Sequence, residues 1–218
     1  MKSLLKGYIL LFFVFSLSLA AKPLKNIGHD VVNASNNCLF VGFGKKYDSN
    51  YYLKSMISNE IGMEVNQLDS LLSNLFLSTF LADENTQQNY VCPNNDPEFE
   101  KMIEKIRYLG EKEKIYPDLS QVNTEVYQSI LQHYNLNYMI VFSQYYMKRQ
   151  ENPFPTLFHI VNYTLYNQSK EEIFKGQEFS NSYDLIDYQG LKEIFRKIRK
   201  KQLATIEKII PQAETSSK

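Results

Sequence analysis

Few side chains in this sequence stand in a pattern that suits proton transfer, metal ligation or nucleophilic attack, and the histidines are widely spaced. The three histidines are His29, His133 and His159. None belongs to a His-Glu-x-x-His pair, which would set two imidazoles on one helix face for zinc. His159 falls mid-strand, where a hydrogen-bonded structural role is the reading. His133 falls near a helix end, where a favourable contact with the helix dipole accounts for it. Cys38 and Cys92 are the only cysteines. They form no Cys-x-x-Cys motif, and no His or Cys stands beside them at zinc spacing. Gly42-Phe43-Gly44-Lys45 resembles a fragment of a phosphate loop. It lacks the four residues between glycines and the Ser or Thr after Lys that such a loop uses. No Gly-x-Ser-x-Gly elbow occurs. The paired carboxylates Glu171 and Glu172 sit beside a turn, as solvated charges do. The sequence therefore nominates no catalytic residue, no metal ligand and no cofactor.

Two surfaces are better candidates. Arg196-Lys197-x-Arg199-Lys200-Lys201 places five cations in six residues of an amphipathic helix. Ile194, Phe195 and Ile198 can bury one side of it, leaving the cations for an acidic partner or for anionic lipid headgroups. Tyr145, Tyr146, Tyr163, Tyr166 and Tyr183 crowd one region. Exposed tyrosines mark interfaces, since each ring buries a large area at low entropic cost; buried, the same rings would be strand packing. Asn33-Ala-Ser35, Asn162-Tyr-Thr164 and Asn167-Gln-Ser169 match the glycosylation sequon, with Asn162 in a mid-strand position that argues against use.

Composition narrows the class. The chain has 218 residues, 44% of them hydrophobic, with 24 basic against 24 acidic residues. That is too apolar for a disordered tail, too poor in cysteine for a disulfide-built miniprotein, and not basic enough for a nucleic-acid binder. Lys2 and Lys6 precede the apolar run Tyr8–Phe15, and Ser18-Leu19-Ala20 offers small residues where a signal peptidase cuts. Even counted from Tyr8 to Ala21 the apolar stretch is about 14 residues, short of the roughly 20 that cross a bilayer. Residues 1–20 read as a signal peptide and 21–36 as a leader segment of an exported protein, periplasmic or secreted. Removing Lys2 and Lys6 leaves 22 basic against 24 acidic residues, a faint negative balance. In an oxidising compartment Cys38 and Cys92 are expected to pair, closing a loop worth roughly 4 kcal/mol in the chain-entropy description.

The elements that must position these residues follow from periodicity. Cys38–Phe43 reads as a buried strand apolar on both sides. Leu53, Met56, Ile57 and Ile61 mark one helix; Leu68, Leu71, Leu72, Leu75, Phe76 and Phe80 mark a second, with Gly62 between them. Asn89–Cys92 reads as a short strand. Asp96-Pro97-Glu98 is a strong helix start. Its stripe runs Phe99, Met102, Ile103, Ile106 and Leu109, stopping at Gly110, and a charged connector with Pro117 follows. Asn123 or Thr124 opens another helix carrying Val126, Ile130 and Tyr134. Period two then takes over in three strands, 137–149, 157–167 and 172–179, with Gly176 marking a bulge or close contact. A closing helix carries Leu191, Ile194, Phe195, Ile198, Ile206 and Ile209, ends at Pro211, and leaves 212–218 as a flexible tail. The expectation is one α+β domain over 37–211: a mixed, mostly antiparallel sheet with a C-terminal three-stranded meander and helices packed on one face.

The order of Leu136–Phe142, Phe158–Asn167 and Glu172–Gly176 after a helix resembles envelope α+β domains of the TolB N-terminal and curli-secretion-lipoprotein type. The resemblance covers roughly residues 120–210. No lipobox cysteine is present, which sets this chain apart from the lipoprotein members. The resemblance implies a non-enzymatic adaptor whose partner is another envelope or extracellular protein. Two alternatives stay open: a secreted hydrolase whose site joins a histidine to a carboxylate, and a peripheral membrane protein binding anionic lipid through the basic helix.

Overall fold

Both sides of the central strand are apolar, so the fold has to cover both. The computed structural model describes residues 38–43, 47–50, 54–60, 62, 64–81, 90–93, 95–183 and 188–216. The expected signal peptide and leader (1–36) lie outside them. In chain order the elements are β1 (Cys38–Val41), β2 (Tyr47–Ser49), α1 (Lys54–Glu60), α2 (Val65–Leu81), β3 (Tyr90–Val91), α3 (Pro97–Ile103), β4 (Arg107–Glu111), β5 (Lys114–Asp118), α4 (Thr124–His133), β6 (Tyr138–Gln150), β7 (Thr156–Asn167), β8 (Glu172–Ser182) and α5 (Tyr188–Ser216). The fold is α+β. Its main sheet runs β3-β1-β6-β7-β8, with β2 also paired to β6. The short strands pair parallel, and the long meander β6-β7-β8 is antiparallel as its alternation predicts.

Helices cover both faces, where the sequence placed them on one. On one face α2 and α5 bury Leu68, Leu72, Phe76, Phe80, Phe195 and Ile198 against Phe40, Phe142 and Tyr163. The Phe76 ring sits 4.1 Å from Phe80 and 5.0 Å from Phe142, centroid to centroid. On the other face α3 and α4 bury Phe99, Met102, Tyr127, Ile130 and Leu131 against Leu39, Val41, Met139 and Val141. Both helices are capped as their sequence predicts: Asp96 Oδ1 accepts from the Glu98 and Phe99 amides, and Asn123 Oδ1 from those of Glu125 and Val126.

A bulge in β6 sets which residue faces where. The β6–β7 register shifts between Phe142 and Gln144, so Ser143 is the extra residue. Even-numbered Tyr138, Ile140 and Phe142 face α5 and α2 before it; odd-numbered Tyr145 and Met147 do so after it. Ten successive β6 residues are buried, because both faces of the strand are covered.

The expected connector is instead the hairpin β4–β5. Gly110 stops no helix: α3 ends at Ile103, Leu109 is exposed at 53%, and Gly110 faces Ile115 across the hairpin. Its φ of +118° is open to glycine, and a Cβ there would lie 1.9 Å from the Lys114 carbonyl oxygen. Side-chain amides fasten the hairpin to the sheet. Asn162 Nδ2 donates to the Glu113 carbonyl (2.7 Å), Gln144 Nε2 to that of Lys112 (2.8 Å), and Ser143 Oγ to that of Ile115 (2.6 Å). At Gly176 the reading of a close contact holds, since a Cβ would meet Tyr163 Cζ at 2.7 Å. The β7–β8 irregularity lies instead opposite Leu165 and Tyr166.

Two further expectations are corrected. The closing helix continues past Pro211 to Ser216; proline removes one hydrogen bond and bends a helix, yet its own φ is helical, so the chain can stay wound beyond it. Cys38 and Cys92 form no disulfide. Cys38 is paired with Tyr90, two residues before Cys92. Two residues along a strand and one strand across separate the Cα atoms by about 8 Å, outside the roughly 7 Å a disulfide spans. Burial pushes the Cys38 thiol up to about 12 and raises that of Cys92 as well.

Intact mass spectrometry of the native protein is expected to show no change on reduction; a two-proton gain would place a disulfide where the register forbids one. Gly110→Ala should destabilise the chain by about 2 kcal/mol or more in urea unfolding.

Candidate functional site

Four of the five tyrosines nominated as an interface are core residues. Tyr145, Tyr146, Tyr163 and Tyr166 are all buried. They lie on β6 and β7, interior strands covered on both faces, so their placement follows from sheet order. Tyr163 packs on Phe142 and Phe174, with its hydroxyl reaching Glu178 Oε1 at 3.3 Å. Tyr166 donates to the Pro117 carbonyl at 3.0 Å and anchors β5. Tyr146 lies on the opposite face from Tyr145, and burial raises its phenol pKa. Of the group, Tyr183 alone is exposed, at 80%. Asn162 is likewise buried, and its amide is committed to the hairpin.

The cationic run divides by helical period. Arg196, Lys197, Lys200 and Lys201 are exposed on one face of α5, whereas Arg199 is 7% exposed and lies among the buried residues. Arg199 follows Phe195 by four residues and precedes Gln202 by three, which puts it in the buried stripe. Its guanidinium favours ionisation of the nearby Tyr90 phenol, although burial dominates and raises that pKa. The Tyr90 hydroxyl donates to Gln202 Oε1 at 2.6 Å, fastening β3 to α5. Arg196 is ion-paired with Glu193. Lys201 reaches around the outer strand: its Nζ donates to the Phe179 carbonyl at 2.6 Å and stands 4.8 Å over the Phe179 ring. Phe179 is 48% exposed. The Lys201 ammonium and an aromatic ring thus meet where α5 borders β8.

The histidines assemble no nucleophile. His29 lies outside the described residues, as do Gly44 and Lys45. His159 is buried, with the Tyr145 hydroxyl 2.6 Å from Nδ1 and Ser182 Oγ 3.0 Å from Nε2. A protonated phenol donating to Nδ1 leaves the ring hydrogen on Nε2, which then donates to Ser182. Burial drives the imidazole down to about 4, too weak a base to activate a hydroxyl at neutral pH. His133 shares a cleft of about 370 Å³ with Asp96, Glu98, Ser129 and Tyr134. Asp96 is occupied there: one oxygen caps α3, and the other accepts from the Tyr134 hydroxyl at 2.8 Å, the largest cause of its lowered pKa. Among the described residues no three His, Cys, Asp or Glu stand close enough to hold a metal ion.

Sequence reasoning missed the polar group Ser143, Gln144, Asn162 and Gln177 that holds the hairpin. Gln177 Nε2 donates to the Glu113 carbonyl at 3.0 Å and to Asn162 Oδ1 at 2.9 Å. The available signal was the break of Ser143-Gln144 into an otherwise apolar and aromatic run.

No family model matches the chain, and no curated protein matches it. Among solved structures, a hypothetical protein from Chlamydia trachomatis is similar at a TM-score of 0.47 and 8% identity, over 81% of this chain and 98% of that one.

The buried imidazole makes stability depend on pH. Its unfolded pKa is about 6.5 and its folded value about 4, so between them the unfolded chain holds the extra proton. Its contribution is full above about pH 6.5 and falls by on the order of 3 kcal/mol as pH drops to 4. Urea unfolding at stepped pH checks this, and Tyr145→Phe should cost about 1–3 kcal/mol at pH 7 by leaving Nδ1 without its donor.

Proposed function

We propose that this chain is an exported, non-enzymatic α+β domain, periplasmic or secreted, that binds an acidic partner protein of the envelope or the extracellular space. The observation that carries the reading is the exposed face of α5. Arg196, Lys197, Lys200 and Lys201 stand on a helix whose other side is locked into the core. Rigid display of like charges, in a chain that becomes faintly negative once Lys2 and Lys6 are removed, favours a partner of opposite sign. The helix–strand–hairpin succession over 120–182 supports kinship with the TolB-type adaptor domains as part of this reading.

The same packing weighs against a lipid surface as the target. An interfacial helix inserts its apolar face among acyl chains. Here Leu191, Ile194, Phe195, Ile198 and Ile206 are buried in the core, so the apolar side of α5 is already taken. The hydrolase reading has the His133 cleft behind it. No hydrogen bond links Ser129 to His133 or His133 to Asp96, and the amides at the start of α3 are taken by Asp96.

Replacing Lys197 and Lys200 by Glu together tests the proposal. The double variant should melt like the parent, since both residues are exposed, and should lose partner recovered by crosslinking from an envelope or culture-medium fraction by about tenfold or more. Binding should weaken as salt is raised. Equal recovery by parent and variant would remove α5 from the interface.

A further inference from the structure

The geometry points to the outer edge of β8 as a docking strand for an extended acidic peptide, which adds to the sheet beside the α5 cations. This rests on the reading of α5 as a partner-binding face and names the kind of segment bound there. Among the described residues, β8 pairs only with β7 and ends the sheet; at the other end stands β3, two residues long. β8 spans 11 residues, which gives it a long row of backbone groups on its outer side.

Lys201 marks which groups those are. Its ammonium bonds the Phe179 carbonyl from α5. Backbone direction alternates along an antiparallel ladder. With Phe179 turned outward, Lys175, Gln177 and Asn181 present their N–H and C=O outward as well. A strand pairing there must displace Lys201 from the carbonyl, and a carboxylate on the incoming strand gives the ammonium a new partner.

The two faces of the edge differ. On the α5 side Lys201 is the cation held against β8, Lys197 stands one helical turn before it, and the β8 carboxylate Glu178 is already engaged by Thr205 Oγ1 at 3.0 Å; on the hairpin side Phe179 packs edge-on against Phe158 at 6.0 Å. A fitting segment alternates acidic residues toward α5 with apolar residues toward the phenylalanines. A second copy of this chain fits poorly. Antiparallel pairing of two β8 strands needs a two-fold axis normal to the sheet, which sets both α5 helices on one face. Lysine would then meet lysine across the joint.

The probe is a peptide of about nine residues, Val-Glu-Val-Glu-Phe-Glu-Val-Glu-Val, matched to most of the edge. Its control carries N-methyl groups on alternate amides, removing outward hydrogen bonds at unchanged charge. Binding to the full chain is read by fluorescence anisotropy and by hydrogen exchange. The parent peptide is expected to bind about tenfold or more tightly than its N-methylated forms and to slow exchange within 172–182. Equal binding of parent and N-methylated peptides would overturn the edge reading while leaving the cationic face standing. So would failure of the parent to bind, protection confined to other strands, or peptide-free dimers with β8 protected. Loss of partner binding in the Lys197/Lys200 double variant bears on the cationic face alone, so the two readings fail separately.

Discussion

Burial of β6 on both faces is the constraint from which the rest follows. Ten consecutive residues of that strand leave water, which requires a layer above and a layer below. The phenylalanine group of α2 and the stripe of α5 supply one layer, and α3 with α4 supplies the other. The Ser143 bulge lets both be satisfied, because it changes which parity faces which layer. It also places two polar side chains where the sheet is covered by neither helix pair. The hairpin fills that gap with backbone carbonyls, so the polar groups meet partners and not hydrocarbon.

That arrangement explains what was legible. Long alternating strands and strong caps speak for themselves: 156–167 and Asp96-Pro97 needed no tertiary information. The hairpin 107–118 did not, because its strands are short and charged and hold their place through amides more than 30 residues away in sequence. Helices on both faces were foreshadowed by the two apolar sides of Cys38–Phe43.

The candidate surfaces show the same divide. Tyrosine is apolar in body and polar at its tip, so its type cannot separate core from interface; strand order does. Tyr145 and Tyr183 differ in fate because one lies mid-sheet and the other beyond the end of β8. The cations read in sequence as one exposed run of five; four are exposed, and Arg199 is the exception, because its spacing from Phe195 and Gln202 sets it in the buried stripe. What no periodicity carries is the reach of Lys201 around a strand edge, which depends on where α5 crosses the sheet.

The cysteine offset makes the chain its own ruler of strand registry. Sliding β3 back by two residues is the smallest movement that sets Cys92 opposite Cys38. A covalent link recovered between them therefore dates from a shifted or unassembled β3, and would record that the first edge of the sheet had come loose.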